Sequence, residues 1–184
     1  MFMHTHFDRN ALAASLIFVL VFGLASSNIA AQQPSPASSS ATEKTNFSGS
    51  WKLNESKSEL GPYGQYATRK MQVDQGSDSI KISRTAPSFD GGDYTYTESL
   101  SFDGKQVENV LYGTSKKKSS IKWGSDGKSF TITFTLYLDV NGQNIEISGT
   151  ETVSLAADGK SLISVSKSSS SFGDSETRAV YEKS

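Results

Sequence analysis

The sequence predicts an all-β domain: an antiparallel up-and-down meander of about eight to ten strands closing into a barrel, with a two-layer β-sandwich as the alternative. Three observations carry this. Turn chemistry recurs along the chain at Gln75-Gly76, Gly91-Gly92, Asp103-Gly104, Tyr112-Gly113-Thr114, Asp126-Gly127, Asn141-Gly142, Asp158-Gly159 and Phe172-Gly173-Asp174. Asn-Gly and Asp-Gly pairs supply the positive φ that tight hairpins need. Between the turns apolar and polar residues alternate with a period of two, and from Gly49 onward the chain reads as strand, turn, strand without a helical period. A flat sheet of that length would expose an apolar face and two edges, whereas closure buries the face and removes the edges.

The elements follow in order. Met1 to Asn10 carries Arg9 and Asp8, Ala11 to Ala25 is an apolar run of 15 residues, and small residues then lead to Ile29-Ala30-Ala31. These are the parts of a secretory signal, expected over residues 1–31 with cleavage before Gln32 and a secreted or periplasmic product. As a helix the apolar run rises about 22 Å, short of the roughly 30 Å hydrocarbon core, so no membrane span is expected after processing. No cysteine follows it, which excludes a lipid-anchored lipoprotein. Residues 32–45 (QQPSPASSSATEKT) hold no large apolar side chain and read as a flexible Ser/Pro linker. The β-barrel domain is expected over 46–184.

Within that domain the alternation is clearest around Asn141-Gly142. Phe130, Ile132, Phe134, Leu136, Leu138 and Val140 share one face, and Ile145, Ile147, Gly149, Val153 and Leu155 continue it after the turn. A two-residue loop sets Leu138 against Ile145, Leu136 against Ile147 and Phe134 against Gly149, a large ring over a position without a side chain. Tyr94, Tyr96, Leu100 and Phe102 form another apolar face, and Ile80 with Ile82 another.

Composition removes several classes of chemistry. The chain has no cysteine, and its two histidines, His4 and His6, precede the expected cleavage site. The mature chain therefore has no means to build a Ser-His-Asp triad, a cysteine nucleophile, a structural zinc site or a His-ligated haem, and no metal or cofactor is expected. With 18 Lys+Arg against 19 Asp+Glu, a net charge of -1, nucleic acid is not an expected partner.

Gly49-Ser50-Trp51, at the start of the first strand after a signal and linker, resembles the first motif of the lipocalins. Gly49-Ser50-Trp51-Lys52-Leu53-Asn54 and Ser56-Lys57-Ser58, with Asp158-Gly159-Lys160 and a Val180-Tyr181-Glu182-Lys183 end, resemble more closely a group of small exported bacterial lipocalin-like proteins without an established activity. The resemblance covers about residues 47 to 183 and implies a barrel and export. It makes Trp51 a core plug at the barrel base or a ligand contact, and makes Arg178 the counterpart of the arginine that packs on the first-strand tryptophan in lipocalins.

Three charges interrupt apolar faces: Arg84 follows Ile80 and Ile82, Glu98 lies between Tyr96 and Leu100, and Glu151 lies between Gly149 and Val153. Their parity points at least two of them into the barrel, where they need partners or water. A hairpin about Asp90 and Gly91 brings Arg84 to Tyr94 or Tyr96, a group suited to a ligand carboxylate, as resembles fatty-acid-binding barrels. The alternative sets Arg84 and Glu98 at the solvated rim or pairs them with each other. Glu98 and Glu151 also supply the two carboxylates that glycoside hydrolysis requires, but no enzyme is expected from them. Lys116-Lys117-Lys118 reads as a solvated turn or edge guard. The expected function is a small-molecule binding barrel, for an apolar or carboxylate-bearing ligand, or a ligand-free structural or interaction protein.

Overall fold

The computed structural model describes residues 43–88, 91–140 and 142–184. The predicted signal segment, most of the predicted linker, and the turn residues Asp90 and Asn141 lie outside the described residues. Ten strands form one antiparallel sheet: β1 (Gly49–Leu53), β2 (Lys70–Gln75), β3 (Ser79–Pro87), β4 (Asp93–Ser101), β5 (Val107–Tyr112), β6 (Ser115–Trp123), β7 (Ser129–Val140), β8 (Gln143–Leu155), β9 (Ser161–Ser170) and β10 (Gly173–Lys183). Their order is β4-β3-β2-β1-β10-β9-β8-β7-β6-β5, an up-and-down sheet nearly closed into a barrel, with its seam between β4 and β5. A single sheet replaces the sandwich alternative.

The predicted turn sites fall between consecutive strands from β2 to β10. In two of them Gly127 and Gly159 adopt φ of 66°. The preceding Asp126 and Asp158 each accept a backbone N–H at 2.9 Å, from Lys128 and Lys160. The β7–β8 ladder pairs Leu138 with Ile145, Leu136 with Ile147 and Phe134 with Gly149, as a two-residue connection requires.

One stretch departs from strand and turn. Between β1 and β2 the chain makes two short 3-10 turns, Glu55–Lys57 and Gly61–Tyr66. Asn54 caps the first, its side-chain oxygen accepting from Lys57 N, and Pro62 opens the second. The segment completes the wall where β1 and β2 stop short. Glu59 and Arg178 exchange backbone hydrogen bonds at 2.7 and 2.8 Å on the β10 side, and Arg69 N donates to Thr85 O on β3.

Because the strands alternate in direction, the turns at 76–78, 102–106, 124–128 and 156–160 share one end of the barrel. That end is packed shut. Phe47 lies edge-on to Phe130 at 4.9 Å between ring centres, and Trp123 packs against Phe47, Phe102 and Phe130. Trp51 is buried there, its indole donating to Phe47 O at 3.0 Å. Lys44 and Thr45, the last residues of the predicted linker but one and itself, join this plug: Lys44 Nζ stands 4.9 Å from the Phe102 ring centre and Thr45 N donates to Gly127 O.

Candidate functional site

Above the plug, the inward faces of four strands bring charges together. Arg84 (3% exposed), Glu98 (0%), Lys117 (6%) and Glu151 (8%) are all buried. Arg84 on β3 and Glu151 on β8 lie across the barrel from each other and form a two-pronged pair. Arg84 Nη1 donates to Glu151 Oε1 at 3.0 Å and Nη2 to Oε2 at 2.9 Å. Arg84 Nε lies 3.6 Å from Glu98 Oε2. Lys117 Nζ of β6 donates to that same oxygen at 2.9 Å, and Ser119 Oγ donates to Glu98 Oε1 at 2.7 Å, so the seam between β4 and β5 is spanned by side chains. Ser164 Oγ of β9 donates to Glu151 Oε1 at 2.7 Å.

Two cations and two carboxylates thus form a neutral, mutually bonded layer. Burial works against the charge on Arg84, but the Glu151 carboxylate beside it, with lesser contributions from Tyr96, Glu98 and Tyr181, holds its pKa above the usual value. Burial likewise opposes charge on Glu151; Arg84, then Lys117 and the Ser164 hydroxyl, outweigh it and hold the carboxyl below its usual range. Glu151 is therefore a committed anion, a poor proton donor at neutral pH.

Beyond this layer the barrel changes character. Phe130 (1% exposed) and Ile132 (0%) are sealed, whereas Phe134, Leu136 and Leu138 on the same face of β7 are only half-buried, as are their partners Ile145 and Ile147 on β8. Tyr94 and Tyr96 of β4 stack with ring centres 5.9 Å apart, and Tyr96 pairs with Arg84 in the β3–β4 ladder. Burial raises the pKa of both phenols above the ordinary tyrosine value. The strands next to β8 present a small, hydroxylated face: Ser166, Ser168 and Ser170 on β9, Ser175 and Thr177 on β10, with Ser170 paired to Ile147 and Ser168 to Gly149. The inward apolar face of this half is thus only partly covered by the chain itself, with the ionic layer at its base and the hydroxylated faces of β9 and β10 beside it.

The five predicted ligand-binding residues, Arg84, Tyr94, Tyr96, Glu98 and Glu151, therefore lie in or next to the ionic layer, and Arg84 and Glu98 are not solvated at the rim. Two sequence readings change. Lys117 is inside, with its ammonium 5.1 Å from the Phe134 ring centre, while Lys116 and Lys118 pair with Glu108 on the outside. Alternation with Ile121 was the signal that places it there. Arg178 is not the cation over Trp51: its guanidinium donates to Lys57 O at 3.2 Å, and Lys183 Nζ lies 5.5 Å from the Trp51 ring centre instead. Ser119 and Ser164 also belong to the ionic layer and carried no motif.

An open groove of about 580 Å³ crosses the outside of β8, β9 and β10, edged by Ser148, Thr150, Lys167, Ser169, Asp174 and Glu176. All six are exposed, Gly149, Ser168 and Ser175 lie between them, and the Lys167–Glu176 pair at 3.3 Å is a surface contact, so this groove lacks a buried charged anchor such as the ionic layer inside the barrel. Among the described residues no cluster of three metal-ligating side chains occurs, and no helix is long and apolar enough to cross a membrane. No protein-family model matches the chain, and no curated protein matches it in sequence.

Proposed function

We propose that the protein is an exported barrel that binds a small, largely apolar molecule in its open half. The observation that carries this is the change along β7 from sealed Phe130 and Ile132 to half-buried Phe134, Leu136 and Leu138 on one inward face. A chain that needed only a solid core would fill that half as it fills the other, and a concave apolar wall with a few convergent polar groups is the usual form of a small-molecule site. Tyr94 and Tyr96 contribute the aromatic edge of the wall, and Arg84, Glu98 and Glu151 act as its floor. A binding role rather than catalysis fits carboxylates already engaged by Arg84, Lys117, Ser119 and Ser164. Export rests on the charged, apolar and small-residue succession of residues 1–31.

On this reading the open half is a binding cup above the ionic floor, and titration with the neutral fluorophore N-phenyl-1-naphthylamine tests it. Its fluorescence should rise saturably with the native protein. Leu136→Lys, which adds a charge to the apolar wall, should abolish that rise while leaving the circular dichroism of the barrel unchanged. A rise unaffected by Leu136→Lys, or none at all, overturns the reading. N-terminal sequencing of the protein recovered outside the cytoplasm should begin near Gln32, and retention of Met1 would remove the cleaved-signal reading.

A further inference from the structure

The charge balance of the floor and one unpartnered donor in the wall bear on what the cup selects, an inference that rests on the binding reading above. Arg84 is the residue that would ordinarily receive a carboxylate, yet both of its terminal nitrogens are on Glu151, and its third nitrogen, which makes no hydrogen bond, lies 3.6 Å from the Glu98 carboxylate. The other buried cation, Lys117, is on Glu98 at 2.9 Å. A ligand carboxylate reaching this depth would be a third anion beside two cations that are already neutralised. Desolvating an uncompensated anion costs several kcal/mol, enough to reverse the gain from burying a short alkyl chain.

The wall nevertheless offers a donor. Asn109 of β5 pairs with Lys117 of β6, which pairs with Leu136 of β7, which pairs with Ile147 of β8, so Asn109 stands in a register row of the apolar lining, one step above the floor. Its side-chain Nδ2 is buried and has no hydrogen-bond partner. Buried amide donors are nearly always satisfied, and an orphan beside a half-filled apolar wall marks where an acceptor from outside the chain would sit. An amide donates without adding charge, so its complement is an uncharged oxygen.

We infer that the cup selects an uncharged amphipath: an apolar chain or ring whose polar end is a neutral acceptor, a carbonyl or ester oxygen, bound by Asn109 Nδ2 above a floor that excludes free carboxylates. Arg84 and Glu151 then act as an anion-rejecting floor, and Asn109 as the positioning donor.

Displacement of N-phenyl-1-naphthylamine from the native protein by methyl decanoate, 1-decanol and decanoic acid at near-neutral pH tests this. The ester should displace the probe at a concentration at least about tenfold lower than the acid, a difference of about 1.4 kcal/mol. The acid should gain about tenfold per pH unit as it becomes protonated. Asn109→Leu should weaken the ester by several-fold to tenfold relative to the probe measured on the same variant, a selective loss that a merely structural Asn109 would not give. Displacement by the ionised acid as strong as by the ester, or an ester affinity indifferent to Asn109→Leu, overturns the inference and leaves the cup standing. Failure of the fluorophore to bind removes the cup, and this inference with it.

Discussion

Arg84→Met is the sharpest perturbation of the ionic layer. Methionine has nearly the length of the arginine stem and fits beside Met71, whose sulfur already lies 3.6 Å from Arg84 Nη1. The substitution removes both charge-assisted bonds to Glu151 and the Nε contact with Glu98, leaving Glu151 buried with the Ser164 hydroxyl and Glu98 with Lys117 and Ser119. Breaking a buried pair by deleting one member costs about 3–5 kcal/mol, because an uncompensated charge remains inside. Urea unfolding of wild type and variant gives that difference directly, and repeating it across the acid range adds a sign. In the wild type, Arg84 and Lys117 hold the Glu151 pKa below its unfolded value. The stability it contributes is therefore complete above the usual carboxylate range and is lost as pH falls through the depressed value. In Arg84→Met the same carboxyl is desolvated without its main partner, so its folded value rises above the unfolded one. Stability then falls as pH rises through it, and the two proteins have opposite slopes. Arg84→Met/Glu151→Gln, which removes both charges, should recover part of the loss and restore a shallow slope. A single variant within about 0.5 kcal/mol of wild type, with the same slope, would refute a buried pair.

Gly149→Ala should cost at least about 1–3 kcal/mol by denaturant midpoint. A Cβ there would lie 2.3 Å from Lys167 O, 2.9 Å from Ser168 Cα and 3.0 Å from Phe134 Cζ. Because two of those atoms are backbone, Phe134→Leu should fail to rescue it, and rescue would mean that the ring alone sets the packing. Tyr96 and Tyr181 are held protonated above the ordinary tyrosine value, chiefly by burial and against the pull of Arg84. The stability they contribute is complete below about pH 10 and declines above it. Phenolate absorbance should show two tyrosines that ionise only as the far-UV spectrum collapses, and free titration of all of them would contradict their burial.

The parts of the fold legible in the sequence are those where two local signals agree. Asn141-Gly142 and the alternation on either side of it specify the same pairing, and the ladder adopts it down to Phe134 opposite Gly149. Parity alone sufficed to place Arg84, Glu98 and Glu151 on inward faces. Of the pairings only Arg84 with Glu98, at 3.6 Å, was among the alternatives read from the sequence; Arg84 meets Glu151 across the barrel and Glu98 meets Lys117 across the seam, and neither distance is a property of a strand or a turn. Lys117 was hidden by its neighbours: three consecutive lysines read as one solvated block, yet in an extended strand the middle one must face opposite to the other two. Arg178 was misplaced because a motif was carried across without its parity; Ala179 and Tyr181 take the inward positions and turn Arg178 outward.

The ionic layer has a cost that closure of the barrel explains. Buried ion pairs are at best even with apolar groups of the same size, so a tighter core is not their use. They demand position instead. β4 and β5 end the strand order without a ladder between them, and the edge of β4 is held by Glu98 accepting from both Lys117 and Ser119 of β6. On the far side Arg84 ties β3 to β8, and Ser164 extends that link to β9. An apolar floor would tolerate a slip of either pairing, since one greasy face resembles another. Here a slip of one residue would turn a charge out of the barrel and strand its partner inside. The same four groups that fix how the sheet closes leave a layer without net charge, so the closure of the barrel and the proposed preference for an uncharged ligand rest on one arrangement.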